Sequence, residues 1–254
     1  MSLAHDPTDN HPSLAELRAV AQPAAHIGRY NAEHWAGALY IRHLSIYATR
    51  ALLPTGISPN GVTWLMIVVG VAAAGVLSLP GLVPAIGAVL LIQLQLLLDC
   101  SDGEVARWRG EKSVLGVYLD RIGHWLTEGA LPIALGIRTG DDTYVMLGLV
   151  AAVLVLLIKG ESALVTVARA EAGQPPAEDT AAVAAPRPGL LRTARRVLGL
   201  IPFYRAFVAV EATLLALAAE ILGLTEELVV ALVVVTGITA AGHLLAIVTS
   251  ARLR

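Results

Sequence analysis

Six times between residues 61 and 250 the chain runs for roughly twenty predominantly apolar residues, their mass made up of Leu, Val, Ala and Ile. That recurrence decides most of what it can fold into. A helical run of about 20 apolar residues matches the hydrocarbon core of a bilayer. Lipid offers no partner to backbone N–H and C=O groups, so such runs must satisfy themselves as helices. They fall at about 61–79, closed by Pro80, then 82–106, 114–136, 143–170, 203–223 and 227–250. Only 15% of the 254 residues are charged, against about 25% in ordinary soluble domains. The expected fold class is an all-α polytopic membrane protein with about six transmembrane helices.

An amphipathic helix should precede them. In residues 31–53, NAEHWAGALYIRHLSIYATRALL, apolar positions recur at three-to-four spacing, with Arg42, His43 and Arg50 among them. Mid-segment charges argue against a further span and for a helix lying in the membrane interface. Residues 1–30 read as a polar segment and 31–254 as one membrane domain. The N-terminus lacks the basic and apolar regions of a cleavable signal peptide. The single cysteine, Cys100, precludes an internal disulfide. Net charge is near −2, so the overall balance gives no reason to expect nucleic acid as a partner.

Basic residues set the orientation. Arg107, Arg109 and Lys112 follow the second run, Arg187, Arg192, Arg195 and Arg196 the fourth, and Arg252 and Arg254 the sixth. With six spans all three places share one side. The opposite loops are short and hold Arg138, Asp141, Asp142, Glu226 and Glu227. Both termini and residues 98–124 are therefore expected on the cytoplasmic side. The Pro/Ala-rich stretch 172–189 reads as a loop, and Arg187–Arg196 as a contact for anionic lipid headgroups.

Residues 98–124, LDCSDGEVARWRGEKSVLGVYLDRIGH, are a charged knot in this apolar background. Asp99 and Asp102 are three apart and share a helix face, as do Asp120 and His124, four apart. A short turn around Gly110 would make the two helices antiparallel neighbours and turn the pairs toward each other. Three carboxylates and an imidazole meeting at a membrane surface call for a cation, since ionisable groups there are costly and usually functional. Carboxylate oxygens suit Mg²⁺ or Mn²⁺, which commonly work on substrate phosphates, and two ions about 4 Å apart are a frequent arrangement. Gly103 and Gly116 leave room where a substrate or the neighbouring helix comes close.

The residues Asp99, Asp102, Gly103, Ala106, Arg107, Gly116 and Asp120 fit the pattern D-x₂-D-G-x₂-A-R-x₈-G-x₃-D. This resembles the CDP-alcohol phosphotransferase family, and Pro59, Asn60 and Thr63 in GISPNGVTWL resemble the start of that family's first span. The resemblance implies transfer of a phosphatidyl group from a CDP-linked lipid, such as CDP-diacylglycerol, to an alcohol, with release of CMP. It further implies that Asp99, Asp102 and Asp120 hold the metals. Asn60, Thr63, Asp102, Gly103, Ala106, Arg107 and Gly116 would face the donor and its nucleotide. A homodimer is a family expectation too.

The family pattern has a further aspartate, credited with a metal contact and with deprotonating the acceptor, where this chain has His124. Three readings stand: a replacement base, since an imidazole titrates near pH 6.5; a nitrogen ligand favouring Mn²⁺ or another borderline ion; or a weakened site that only binds its nucleotide lipid. Lys159, Arg169 and Arg205 are candidates for binding a phosphorylated acceptor, with snorkelling at the interface as the alternative. His243 and Glu211 read as buried polar partners between helices. A transporter would be expected to show repeats and broken spans, and neither is evident.

Overall fold

A computed structural model of the protein describes residues 6–23, 35–174 and 208–249. All its regular elements among these residues are helical. Helix α1 is Leu14–Ala21 and α2 is Arg42–Leu52, with a π turn over Gly37–Ile41 before it and a 3₁₀ turn over Leu53–Thr55 after it. Then come α3 Pro59–Leu77, α4 Leu82–Arg109, α5 Val114–Thr139, α6 Asp142–Glu171, α7 Ala209–Leu222 and α8 Thr225–Val248.

Four of these, α3, α4, α6 and α8, are long and apolar enough to cross a membrane. Their bounds lie close to the expected runs. The other two expected spans differ. Helix α5 has 26 residues but carries Asp120, Arg121, Glu128 and Arg138, and these charges make it less apolar than the four. Helix α7 has 14 residues, and the start of the expected run 203–223 lies outside the described residues. Outward-facing Val68, Leu90, Val153 and Ile238 suit lipid tails, which are as apolar as the side chains that meet them.

The chain forms two compact units, Met1–Ala73 with Leu90–Thr127, and Ala74–Val89 with Glu128–Arg254. In the first, α3, α4 and α5 pack closely. A Cβ on Gly123 of α5 would meet Ile67 Cγ1 of α3 at 2.7 Å and press on the tip of Met66, so the helices approach closely here and a larger residue would have to push these side chains aside. Gln95 on α4 donates to Thr127 on α5 at 2.8 Å. Helix α4 ends at Gly110, whose φ of +69° is the left-handed conformation that closes helices, and Glu111 N–H returns to the Ala106 carbonyl at 2.9 Å. At 28 residues α4 is about 42 Å long, so it outruns a membrane core and carries its charged turns beyond the apolar run.

The N-terminal residues add to this unit in a way the sequence reading did not foresee. Ser13 caps α1, accepting from Glu16 N–H, while the Glu16 carboxylate accepts from Ser13 N–H at 3.0 Å and Ser13 Oγ at 2.6 Å. These bonds hold the Glu16 carboxyl below its ordinary range. Leu17 and Ala21 bury themselves with Ile46, Leu53, Val105 and Trp108. Burying Leu17 alone is worth about 2 kcal/mol.

In the second unit, α5 and α6 meet backbone to backbone. A side chain on Gly148 would lie 2.5 Å from the Pro132 carbonyl oxygen, and one on Gly136 would run into the Tyr144 carbonyl. Arg138 is buried and donates to the carbonyls of Leu77, Leu79 and Gly81 in the α3–α4 turn. It also pairs with Glu220 of α7, Nε donating to Oε2 at 3.0 Å and Nη2 standing 2.9 Å away. His243 Nδ1 of α8 lies 2.8 Å from Glu161 Oε2 of α6, so that histidine does pair between helices, with a glutamate the sequence did not single out for it. Glu211 is buried on α7.

Candidate active site

The candidate site lies within the first unit, where the charged end of α4 meets the first turns of α5. On α4 Asp99 and Asp102 share a face. Thr63 of α3 is almost wholly buried and donates its hydroxyl to Asp102 Oδ2 at 2.7 Å. The threonine expected on the donor side is thus the partner of a motif aspartate, and it fixes that carboxylate against α3.

On α5 Asp120 and His124 stand one helical turn apart. His124 Nε2 lies 3.0 Å from Asp99 Oδ1 and 3.5 Å from Asp120 Oδ1. The ligand atoms of Asp99, Asp120 and His124 all lie within 4.8 Å of one another. Ionised carboxylates only accept hydrogen bonds, so Nε2 donates to Asp99 when it carries the ring proton. The three are partly exposed, His124 at 34%, Asp99 at 23% and Asp120 at 43%, as a site open to substrate must be. Their donor set fits a divalent cation. Ligands about 2.1 Å from a six-coordinate ion are about 3 Å apart; His124 stands at that spacing from Asp99, 3.0 Å, and somewhat farther from Asp120, 3.5 Å. Asp102, also expected among the metal ligands, is not in this group.

Asn60, Gly103, Arg107 and Gly116 stand around the same helix ends. Gly116 lies against Asn60: a Cβ there would be 2.9 Å from Asn60 Oδ1, and Ser113 Oγ, which accepts from Gly116 N–H at 2.9 Å, reaches the same oxygen at 3.4 Å. A Cβ on Gly103 would be 3.0 Å from Arg107 Nη1, so the guanidinium lies over this glycine. Ala106 is half-buried on the same helix end. Arg109 ties the loop before α3, donating to Ile57 O at 2.6 Å and Leu53 O at 3.1 Å.

One group at this end went unnoticed in the sequence. Glu104, inside the motif, is fully buried. It accepts from Gln22 Nε2 at 2.8 Å, Ser45 Oγ at 2.6 Å and Thr49 Oγ1 at 2.6 Å. The signal that could have pointed to α1, and so to Gln22, is the capping box Ser13 to Glu16 ahead of Leu17 and Ala21.

The acceptor candidates lie elsewhere in the chain. Lys159 and Arg169 are on α6, in the second unit, and Lys159 Nζ stands 2.7 Å from Glu128 Oε2 of α5. Arg169 is half-buried in the last turn of α6. Arg205, like Arg187–Arg196, lies outside the described residues.

No curated protein matches the chain significantly. A family model described as CDP-alcohol phosphatidyltransferase matches residues 56–238. That family transfers a substituted phosphoryl group from a CDP-alcohol to an acceptor and is known for divalent-metal use. The match takes in well over half of the chain and every candidate donor and metal residue from Asn60 to His124, and the chain belongs to the CDP-alcohol phosphatidyltransferase family.

Proposed function

We propose that the protein transfers a phosphatidyl group from a CDP-linked lipid, such as CDP-diacylglycerol, to an alcohol hydroxyl, and that a phosphorylated polyol is the favoured acceptor. The observation that carries this is the meeting of Asp99, Asp120 and His124 beside the Asp102–Thr63 pair, in a chain of this family. In this reading Asp99, Asp102 and Asp120 are the residues that would hold Mg²⁺ or Mn²⁺, two ions in number, and His124 serves as the base. Such ions neutralise the diphosphate and stabilise the departing CMP.

The remaining steps belong to the chain. Arg107, with Asn60, Thr63, Gly103, Ala106 and Gly116, receives the cytidine diphosphate. Asp120 and Asp99 orient the His124 ring through Nε2, which leaves the lone pair on Nδ1. That nitrogen takes the proton of the acceptor hydroxyl. The hydroxyl oxygen bonds to the phosphorus that bears the lipid, the P–O bond to CMP breaks, and CMP leaves with the electron pair. Base catalysis of this kind contributes about 10²–10⁴-fold. Lys159, Arg169 and Arg205 bind the acceptor's phosphate, Lys159 exchanging or sharing its bond to Glu128. The basic segments 107–112 and 187–196 favour the cytoplasmic side for the site and both termini.

A second reading rests on the convergence of Nε2 on two carboxylates, as ligands converge on an ion. With Nε2 on a cation, the proton moves to Nδ1 and His124 is no base. A third is nucleotide-lipid binding without turnover.

Purified protein in detergent, given CDP-diacylglycerol, a divalent metal and a panel of alcohols, is expected to release CMP. Asp99→Asn, Asp102→Asn and Asp120→Asn, and EDTA, should each abolish release. Substantial activity in any of the three would overturn the metal assignment. Binding of the nucleotide lipid with no CMP released from any acceptor would establish the third reading instead.

A further inference from the structure

The end of α4 that carries Gly103, Ala106 and Arg107 is held by the N-terminal residues through polar bonds. Arg107 Nε donates to the carbonyl of Ala21, the last residue of α1. Carbonyls at a helix C-terminus have no partner within the helix, and that end favours a cation. One donor of the guanidinium is thus spent on α1, while Nη1 lies over Gly103. The next residue, Gln22, donates to both Glu104 Oε1 and the Arg42 carbonyl at 2.8 Å. Glu104 stands three residues before Arg107, on the same face of α4. Trp108 Nε1 fastens the chain ahead of α1 by donating to Asp9 O at 2.9 Å.

Apolar packing of Leu17 and Ala21 would be enough to dock a helix. A fully buried carboxylate is an expensive addition, because its desolvation must be offset by several well-made bonds. What such a network adds over packing is direction: it fixes where α1 ends relative to α4, and with it where Ala21 O meets Arg107.

We infer that α1 is a positioning element of the donor site, holding the Arg107 guanidinium over Gly103 through Ala21 and Gln22 so that its remaining N–H groups face the donor's diphosphate. This rests on the reading of Arg107 as a nucleotide-side residue. Ala21 and Gln22 touch no substrate; they act through Arg107.

The test uses the full chain in detergent and CDP as probe, with Kd from calorimetry and thermal unfolding recorded for every variant. Arg107→Ala should raise the Kd about tenfold or more, as expected for losing a hydrogen bond to a charged group. Gln22→Ala should raise it by a similar factor, and the double variant should bind no more weakly than Arg107→Ala alone, since linked residues are not additive. In turnover, Gln22→Ala should raise the donor KM and leave the acceptor KM unchanged. Leu17→Ala loosens α1 and leaves every polar partner in place; it should give the same non-additive loss, and it carries the test if Gln22→Ala does not fold. A lowered melting temperature with unchanged Kd in the folded variants, or losses that add to that of Arg107→Ala, would reduce α1 to a structural prop and overturn the inference alone. Unchanged CDP binding in Arg107→Ala would overturn the nucleotide-side assignment together with the inference.

Discussion

At position 124 an imidazole stands one helical turn from Asp120, and its Nε2 is 3.0 Å from Asp99. A base and a ligand use the ring differently, so substitution separates them. His124→Ala should lower the rate of CMP release by about 10²–10⁴-fold, His124→Asp should recover a good part of that loss, and raising Mn²⁺ should not rescue the alanine variant. Rescue by metal would make His124 a ligand, and an alanine variant with unchanged rate and metal dependence would remove it from the chemistry. Single residues were legible where charge broke an apolar background. Asp99, Asp102, Asp120 and His124 stood out for that reason, and three of them meet. Glu104 did not, because a glutamate between motif positions looks like one more solvated charge. Its partners Ser45 and Thr49 are 59 and 55 residues away in sequence, and no local pattern announces a contact across that distance.

Among the helices, those with long apolar runs could be drawn almost to the residue, since length and hydropathy are local properties. Helix α1 could not. It is eight residues long and polar on its outer face, and its hold on the protein comes from side chains on α2 and α4. The fit of α5 was equally hidden, because a glycine in sequence does not say what lies opposite. Two substitutions expose the difference. Gly136→Ala drives a methyl group into the Tyr144 carbonyl, where only backbone can yield, whereas Gly123→Ala meets Met66 Cε and Ile67 Cγ1, and a methionine end can swing aside. Overpacking costs about 1–3 kcal/mol, and thermal unfolding in detergent should put Gly136→Ala at the upper end and Gly123→Ala at the lower. Equal melting temperatures would mean that the α5–α6 backbones separate easily.

Over the whole molecule, apolar content announced a membrane protein, and six runs suggested six spans; among the described residues four helices meet that description. The rest was obscured because α5 serves two ends. Its first turns carry the site and its last turn carries Arg138, which closes the α3–α4 turn and pairs with Glu220. Arg138→Leu strands Glu220 and three carbonyls, and should cost roughly 3 kcal/mol, the loss typical of breaking a buried pair, read as a lower melting temperature. An unchanged melting temperature would show that water serves that turn as well as the guanidinium does. The same arginine orders events on the ribosome. The carbonyls of Leu77, Leu79 and Gly81 wait for a partner 61, 59 and 57 residues downstream, a delay of about 3–12 s at 5–20 residues per second. A nascent chain halted before Arg138 holds an unfinished hairpin, and the insertion machinery has a defined interval in which to shelter it.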